Sequence, residues 1–170
     1  MGDGEMSRKF TIQIASLDDA PAIHHVHESS ILELGSRSYT LEEARSWAAG
    51  LSPDFYIRCI KEEGETFLVA AGEYGIVCAF ASYHGDELTG LYVSPNSEGR
   101  GLGSALLQRA EQEMQSRGAE RVQIKASRSG RKFYESKGYE RVGTHQWKTR
   151  GGLEIEMIDM TKALRKEIHQ

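Results

Sequence analysis

The chain has 170 residues, with 21 Lys and Arg against 25 Asp and Glu, for a formal net charge of -4. A length in the range of about 100–200 residues per domain predicts one domain, able to bury about 70% of its unfolded surface without disulfide or metal staples. The mean hydropathy of -0.50 and the lack of a long apolar run exclude a membrane-spanning helix, and the acidic balance argues against a surface that neutralises many nucleic-acid phosphates.

The polar stretch from Met1 to Lys9 has no apolar core, so it reads as a frayed or appended start and not as a signal peptide. One domain is expected over residues 10–165. The two cysteines, Cys59 and Cys78, sit in apolar, strand-like runs and read as buried thiols, which fits a reducing cytoplasm. Glycine is the unusual figure: 18 against 3 prolines, so many tight turns or close backbone approaches are expected.

In chain order, Phe10 to Ile14 alternates as a half-buried strand. Ser16 or Asp18 caps a first helix with Pro21 near its start, and Ile23, Val26, Ile31 and Leu34 form its stripe up to Gly35. Thr40-Leu41-Glu42-Glu43 is a capping box opening a second helix, with Leu41, Ala44, Trp47, Ala48 and Leu51 inward and Ser52-Pro53-Asp54 as its stop. Phe55–Ile60 reads as a short strand. Phe67–Ala71, Ile76–Ala81 and Leu88–Val93 follow as strands joined by short glycine-containing links, an antiparallel meander. The pattern then alternates. A helix carries Leu102, Leu106, Ala110 and Met114 on one face and closes at Gly118. Val122–Ala126 is a strand, and Ser127 or Ser129 opens a short helix ending at Gly138. Tyr139 begins a final hairpin whose return arm is Leu153, Ile155 and Met157. The order β-αα-βββ-α-β-α-ββ predicts a mixed α/β sheet.

Glycines are densest in Glu98-Gly99-Arg100-Gly101-Leu102-Gly103-Ser104, directly after a strand and directly before an amphipathic helix. Unpaired amides and partial positive charge at a helix start suit phosphate oxygens, and glycines let a ligand approach the backbone. The spacing matches neither a Walker A loop nor the dinucleotide fingerprint Gly-x-Gly-x-x-Gly. A nucleotide-binding P-loop is therefore excluded. A glycine-rich turn without a ligand is the bland alternative.

These residues resemble the GNAT family, the Gcn5-related N-acetyltransferases, whose acetyl-CoA motif is [Gln/Arg]-x-x-Gly-x-[Gly/Ala] after a strand ending in Val-x-Pro. Leu91-Tyr92-Val93-Ser94-Pro95 and Glu98 to Gly103 occupy those places. The family's second signature corresponds to Phe133-Tyr134-Glu135-Ser136-Lys137-Gly138-Tyr139. The resemblance covers Thr11 to Lys162. It departs at Glu98, where Gln or Arg is usual, at Ser127, where Asn is frequent, and at Gly130, where Ala is frequent.

The resemblance implies a mostly antiparallel sheet opened by a bulge at Gly90, and acetyl transfer from acetyl-CoA to a primary amine with no metal. It places acetyl-CoA on Leu91, Tyr92 and Val93, on Gly99, Arg100, Gly101, Leu102, Gly103 and Ser104, and on Ser127 and Ser129. The backbone near Leu91 would hold the thioester oxygen. Tyr134 becomes the general acid at the departing sulfur. Glu87, eleven positions before Glu98, becomes the general base, with His84 or a water chain as competitors. Arg100, Arg128, Arg131 and Lys132 form a basic rim for the phosphates. Tyr39, Trp47 and Trp147 are candidates for the acceptor pocket, although core packing is the better reading of Trp47. Glu28, Glu33 and Glu42 are acidic groups able to attract a cation.

His24, His25 and His27 fall on different helical faces and make a poor metal set. The acceptor class stays open among polyamines, amino acids, antibiotic amines, lysines and protein N-termini. Homodimers are common in the family, and no nucleic-acid or membrane partner is expected. A non-catalytic acyl-CoA-binding sensor module is the alternative function; Glu98 and Ser127 favour it and Tyr134 disfavours it.

Overall fold

A computed structural model describes residues 9–33 and 37–165. Strand β1 (Thr11–Ile14) leads through a 3-10 turn to three helices, α1 (Ala20–Glu33), α2 (Leu41–Ala48) and α3 (Pro53–Lys61). Strands β2 (Thr66–Ala71), β3 (Val77–His84) and β4 (Glu87–Val93) follow. Then come α4 (Leu102–Ser116), β5 (Arg121–Ala126), α5 (Arg131–Ser136), β6 (Glu140–Lys148) and β7 (Glu154–Ala163). The expected start before Lys9 and the helix stop at Gly35 lie outside the described residues.

Alternation along β2 sends Leu68 and Ala70 to one face of the sheet and Phe67 and Val69 to the other. Each face therefore gathers its own core. On the first, Leu106, Leu107, Ala110 and Met114 of α4 pack on Leu88, Val122 and Ile124. On the second, Ile23, Val26, Trp47 and Tyr56 of α1–α3 pack on Phe80, Ile155 and Met157. Burying each such large side chain contributes about 1.5–3 kcal/mol, so both layers are held to the sheet by hydrophobic burial. The capping box at α2 forms as expected: Glu43 N–H donates to Thr40 Oγ1 at 3.1 Å, and Thr40 N–H to Glu43 Oε1 at 2.9 Å.

The segment read as a strand at Phe55–Ile60 is instead α3. Ser52 is its N-cap position and Pro53 its first residue, where a missing N–H costs no hydrogen bond. Ser-Pro-Asp thus opens a helix where a stop was expected. Tyr56 and Cys59 face inward at helical spacing. Cys59 consequently sits in a helix; burial pushes its thiol up to about 12, and both cysteines are free.

The sheet order is β1-β2-β3-β4-β5-β7-β6, antiparallel throughout except for β4 beside β5. Two irregularities at that parallel pair open the molecule. First, Ser82 pairs with Gly90 while the next residue, Tyr83, pairs with Leu88, which leaves Thr89 as the extra residue of a bulge. Second, β4 and β5 pair only at Glu87↔Gln123 and Leu88↔Ile124. Beyond Leu88 the two strands part, and the β4 edge from Thr89 to Val93 faces a gap. Gly90 is required there by space: a Cβ would lie 2.9 Å from Ser82 Oγ and 3.3 Å from Tyr92 Cε2.

Candidate active site

Two cavities meet at this gap, one on each face of the sheet. On the α4–α5 face, a cavity of about 210 Å³ is lined by Leu91, Tyr92, Val93, Gly103, Ser127, Phe133 and Tyr134. On the α1–α3 face, one of about 290 Å³ is lined by His27, Tyr56, Glu65, Glu87, Trp147 and Arg150. Trp47, Leu88, Thr89, Gly90, Tyr92, Lys125 and Met157 border both, so the opened strands form their common wall. A third hollow, of about 250 Å³, lies outside the first, where Arg37, Glu98, Ser129 and Gly130 meet Leu91 to Val93.

The glycine loop builds the entrance to α4. Gly99 and Gly101 have φ of 81° and 77°, in the left-handed region that side chains disfavour. Gly101 is the N-cap position and offers no side-chain cap. The first helical amide with an intrahelical partner is Ala105, bonded to Gly101 O at 3.0 Å; those of Leu102, Gly103 and Ser104 have no acceptor among the described residues. Gly103 differs from the other two. A Cβ there would make only ordinary contacts, at 3.6 Å from Phe133 and 3.7 Å from Val93.

The Glu98 carboxylate is not left alone beside this helix start. Arg37 reaches it with two nitrogens, each at 3.3 Å. The basic rim is smaller than expected. Arg131 is held by Glu135, and Arg128 lies over the Tyr39 ring at 4.4 Å. Arg100 and Lys132 form no ion pair among the described residues. Ser127 Oγ accepts the Gly130 N–H at 3.1 Å, one turn before α5, so it shapes the loop and the helix begins at Arg131.

Tyr134 is buried, with 7% of its surface exposed, between Phe133 and Tyr139. Its hydroxyl bonds no described residue while its side chain lines the smaller cavity. Burial, then the nearby Tyr92, push its ionisation well above the usual tyrosine range, so it stays a proton donor.

On the other face, Glu87 is half-buried with Lys125 at 4.0 Å. His84 is exposed and lies outside both cavities. Glu28 and Glu42 likewise stay outside. Tyr39 is buried but serves as a brace: its hydroxyl donates to Glu156 O at 3.0 Å and accepts the Arg128 N–H at 2.9 Å. Trp47 lies at 6% exposure and packs edge-on to Tyr39 and Trp147, so it is both core and wall.

Four residues that sequence reasoning did not place here face the larger cavity. His27 Nδ1 is 2.8 Å from the Tyr56 hydroxyl, and burial, with the Arg150 charge, lowers its pKa to about 3, so the ring is neutral. Burial holds Glu65 above the usual carboxylate range. Arg150 donates to Trp47 O at 2.7 Å and Ala49 O at 3.1 Å. No local motif marks any of them. The only signal at α3 is the helical spacing of Tyr56 and Cys59. Among the described residues no group of His, Cys, Asp and Glu is placed to hold a metal, and no helix is long and apolar enough to cross a membrane.

The family model described as "Acetyltransferase (GNAT) domain" matches residues 36–164. A GCN5-related N-acetyltransferase from Rhodopseudomonas palustris, described as "Aminotransferase, Class-II", superposes with a TM-score of 0.84 at 26% identity, covering 92% of this chain and 96% of its own. A PaiA N-acetyltransferase from Thermoplasma acidophilum, solved with coenzyme A, gives 0.73 at 20% identity over 92% and 99%. A phosphinothricin acetyltransferase from Sinorhizobium meliloti, solved with acetyl-CoA, gives 0.70 at 19% identity over 92% and 89%. No curated protein matches the chain.

Proposed function

The chain belongs to the GNAT acetyltransferase family, and from that premise we propose that it moves an acetyl group from acetyl-CoA to a primary amine by direct attack within a ternary complex. The observation that carries the reading is Tyr134. Its buried, unpartnered hydroxyl lines the smaller cavity, which shares with the larger one the wall where β4 and β5 part.

The pyrophosphate of acetyl-CoA sits on the free amides of Leu102, Gly103 and Ser104 and the open turn at Gly99 and Gly101, with Arg100 alongside. The pantetheine arm lies along the edge of β4 that β5 leaves open at Leu91, Tyr92 and Val93, where the Val93 carbonyl already accepts from Ser30 Oγ at 2.7 Å, bordered by Ser127 and Ser129. The thioester reaches the gap, where the backbone near Leu91 receives the developing negative oxygen.

The acceptor enters from the α1–α3 face. Its ammonium gives a proton to Glu87, which lines that cavity. The freed amine attacks the thioester carbonyl, the C–S bond breaks, and Tyr134 donates its hydroxyl proton to the departing sulfur. The new amide nitrogen gives up its surplus proton, which restores the tyrosine hydroxyl, and Glu87 releases the proton it took to water as N-acetylated amine and coenzyme A leave. Glu65 is a second carboxylate in the same cavity and keeps the amine end acidic.

Thiol release from acetyl-CoA across a panel of amines tests this. Tyr134→Phe should lower kcat by about 100-fold, the lower range for a positioned acid, with an unchanged melting temperature. Unchanged turnover removes the role. Coenzyme A binding without release for any amine would instead favour the non-catalytic sensor module, the reading that Glu98 suggests and that its pairing with Arg37 weakens.

A further inference from the structure

Resting on acetyl transfer as the reaction, we infer that the acceptor is a small amine that also carries an anionic group, an amino-acid-like zwitterion whose carboxylate is held by Arg150 at the mouth of the α1–α3 cavity. A simple polycation is the wrong guest for this chamber.

Three observations converge. The first is that Arg150 is fixed but uncompensated. Its Nε and Nη2 are taken by the carbonyls of Ala49 and Trp47, and its guanidinium stands 5.3 Å from the Phe55 ring centre and 5.8 Å from that of Trp147. Its Nη1 bonds no described residue, and no described carboxylate lies within ion-pair distance. A guanidinium steered by backbone and flat rings, with one edge left open, is prepared for an anion supplied from outside.

The second observation is an orphaned group inside the same chamber. His27 is 92% removed from solvent, counting from its 8% exposure, and its Nε2 has no partner. Nδ1 is 2.8 Å from the Tyr56 hydroxyl, and the tautomer decides which of the two donates and whether Nε2 is left as a donor or an acceptor. A buried ring nitrogen left unmet costs free energy, so a ligand that bonds it gains by doing so.

The third is the distribution of charge. The cavity holds Glu63, Glu65 and Glu87 as well as Lys125 and Arg150. Lys125 stands 4.0 Å from Glu87, and Glu63 and Glu65 precede β2, whereas Arg150 has no carboxylate within ion-pair distance among the described residues. The glutamates can thus take the ammonium of a guest while Arg150, the cation without a carboxylate partner, takes its carboxylate. At about 290 Å³ the space lies at the small end of ligand sites, the scale of a single amino acid. Aromatic walls from Tyr56, Phe67, Phe80 and Tyr92 suit an apolar middle.

The decisive experiment pairs each amino acid with the amine left by removing its carboxylate: phenylalanine against phenethylamine, and leucine against isopentylamine. Thiol release is measured for both, and binding of both is read independently as a shift of the protein's melting temperature. Wild type should favour the acid by about 30-fold in kcat/KM, the size of one charge-assisted pair, and only the acids should raise the melting temperature. Arg150→Gln should bring the ratio towards one by raising KM for the acid, while Arg150→Lys should keep part of the preference. If Arg150→Gln fails to fold, the paired comparison on wild type decides alone. Equal or better turnover of the decarboxylated amines overturns the inference and leaves acetyl transfer standing. Arg150-dependent binding of the acids without thiol release keeps the inference and removes the reaction. Binding of neither class overturns the inference.

Discussion

Gly90 sets the opening between β4 and β5, and its replacement by alanine has a cost that the geometry fixes. Its φ lies outside the left-handed region, so only space is at issue. The new Cβ would lie 2.9 Å from Ser82 Oγ, 3.3 Å from Tyr92 Cε2 and 3.6 Å from Phe80 Cε2. Ser82 is 3% exposed and its Oγ accepts from Thr89 Oγ1 at 2.8 Å, so it cannot turn away without breaking that bond. Overpacking of this kind costs about 1–3 kcal/mol. In a chain of this size that is a melting temperature lower by about 2–12 °C. Ser82→Ala alone should cost about 1 kcal/mol, because Thr89 is exposed and its hydroxyl can turn to water. In the double variant the alanine methyl enters the space the hydroxyl left, so the combined loss should fall short of the sum by about 1 kcal/mol or more. Urea unfolding followed by the fluorescence of Trp47 and Trp147 measures all four corners of the cycle. Strict additivity would refute the steric reasoning.

Two further outcomes are expected. Arg37→Ala should raise KM for acetyl-CoA several-fold, by exposing Glu98 to the phosphates, and Glu98→Gln in the same chain should restore it; a rise that persists in the double variant would assign Arg37 some other role. His27 stays neutral in the folded chain down to about pH 3, whereas the unfolded chain takes its proton near pH 6.5. Stability is therefore lost as pH falls through that window, by about 2 kcal/mol at about pH 5, and His27→Phe should flatten this acid limb in a melting-temperature profile. An unchanged slope would show that other groups carry it.

The glycine loop and the wall of the smaller cavity were legible because their pattern is local. Val93, Gly99, Gly101 and Tyr134 lie in short strand–turn–helix pieces whose spacing is itself the signal. The acceptor side was not, because His27, Tyr56, Glu65 and Arg150 come from four separate parts of the chain and meet only across the sheet. Each alone is an ordinary surface or core residue. The one element misread, α3, fails for a related reason. Six residues are too few to separate a period of 2 from one of 3.6, and the Ser-Pro pair that would decide was assigned to the helix before it instead of the helix it begins. His84 and Glu87 are neighbours in one turn region, yet only Glu87 turns into the cavity.

The tip of the β6–β7 hairpin is clasped to the end of α2: Ser46 Oγ meets Thr149 Oγ1 at 2.5 Å, Gly151 N–H donates to Ser46 O at 2.9 Å, and Arg150 adds its two bonds. Ser46 and Thr149 are 103 residues apart in sequence, and Tyr39 and Glu156 are 117 apart. Loops of that size are the slowest to close in a folding chain, and contacts that close late hold the native state without hastening its formation. The acceptor chamber is therefore a product of completed folding, with no local precursor. Arg150, which we propose reads the acceptor's charge, rides on the clasp itself.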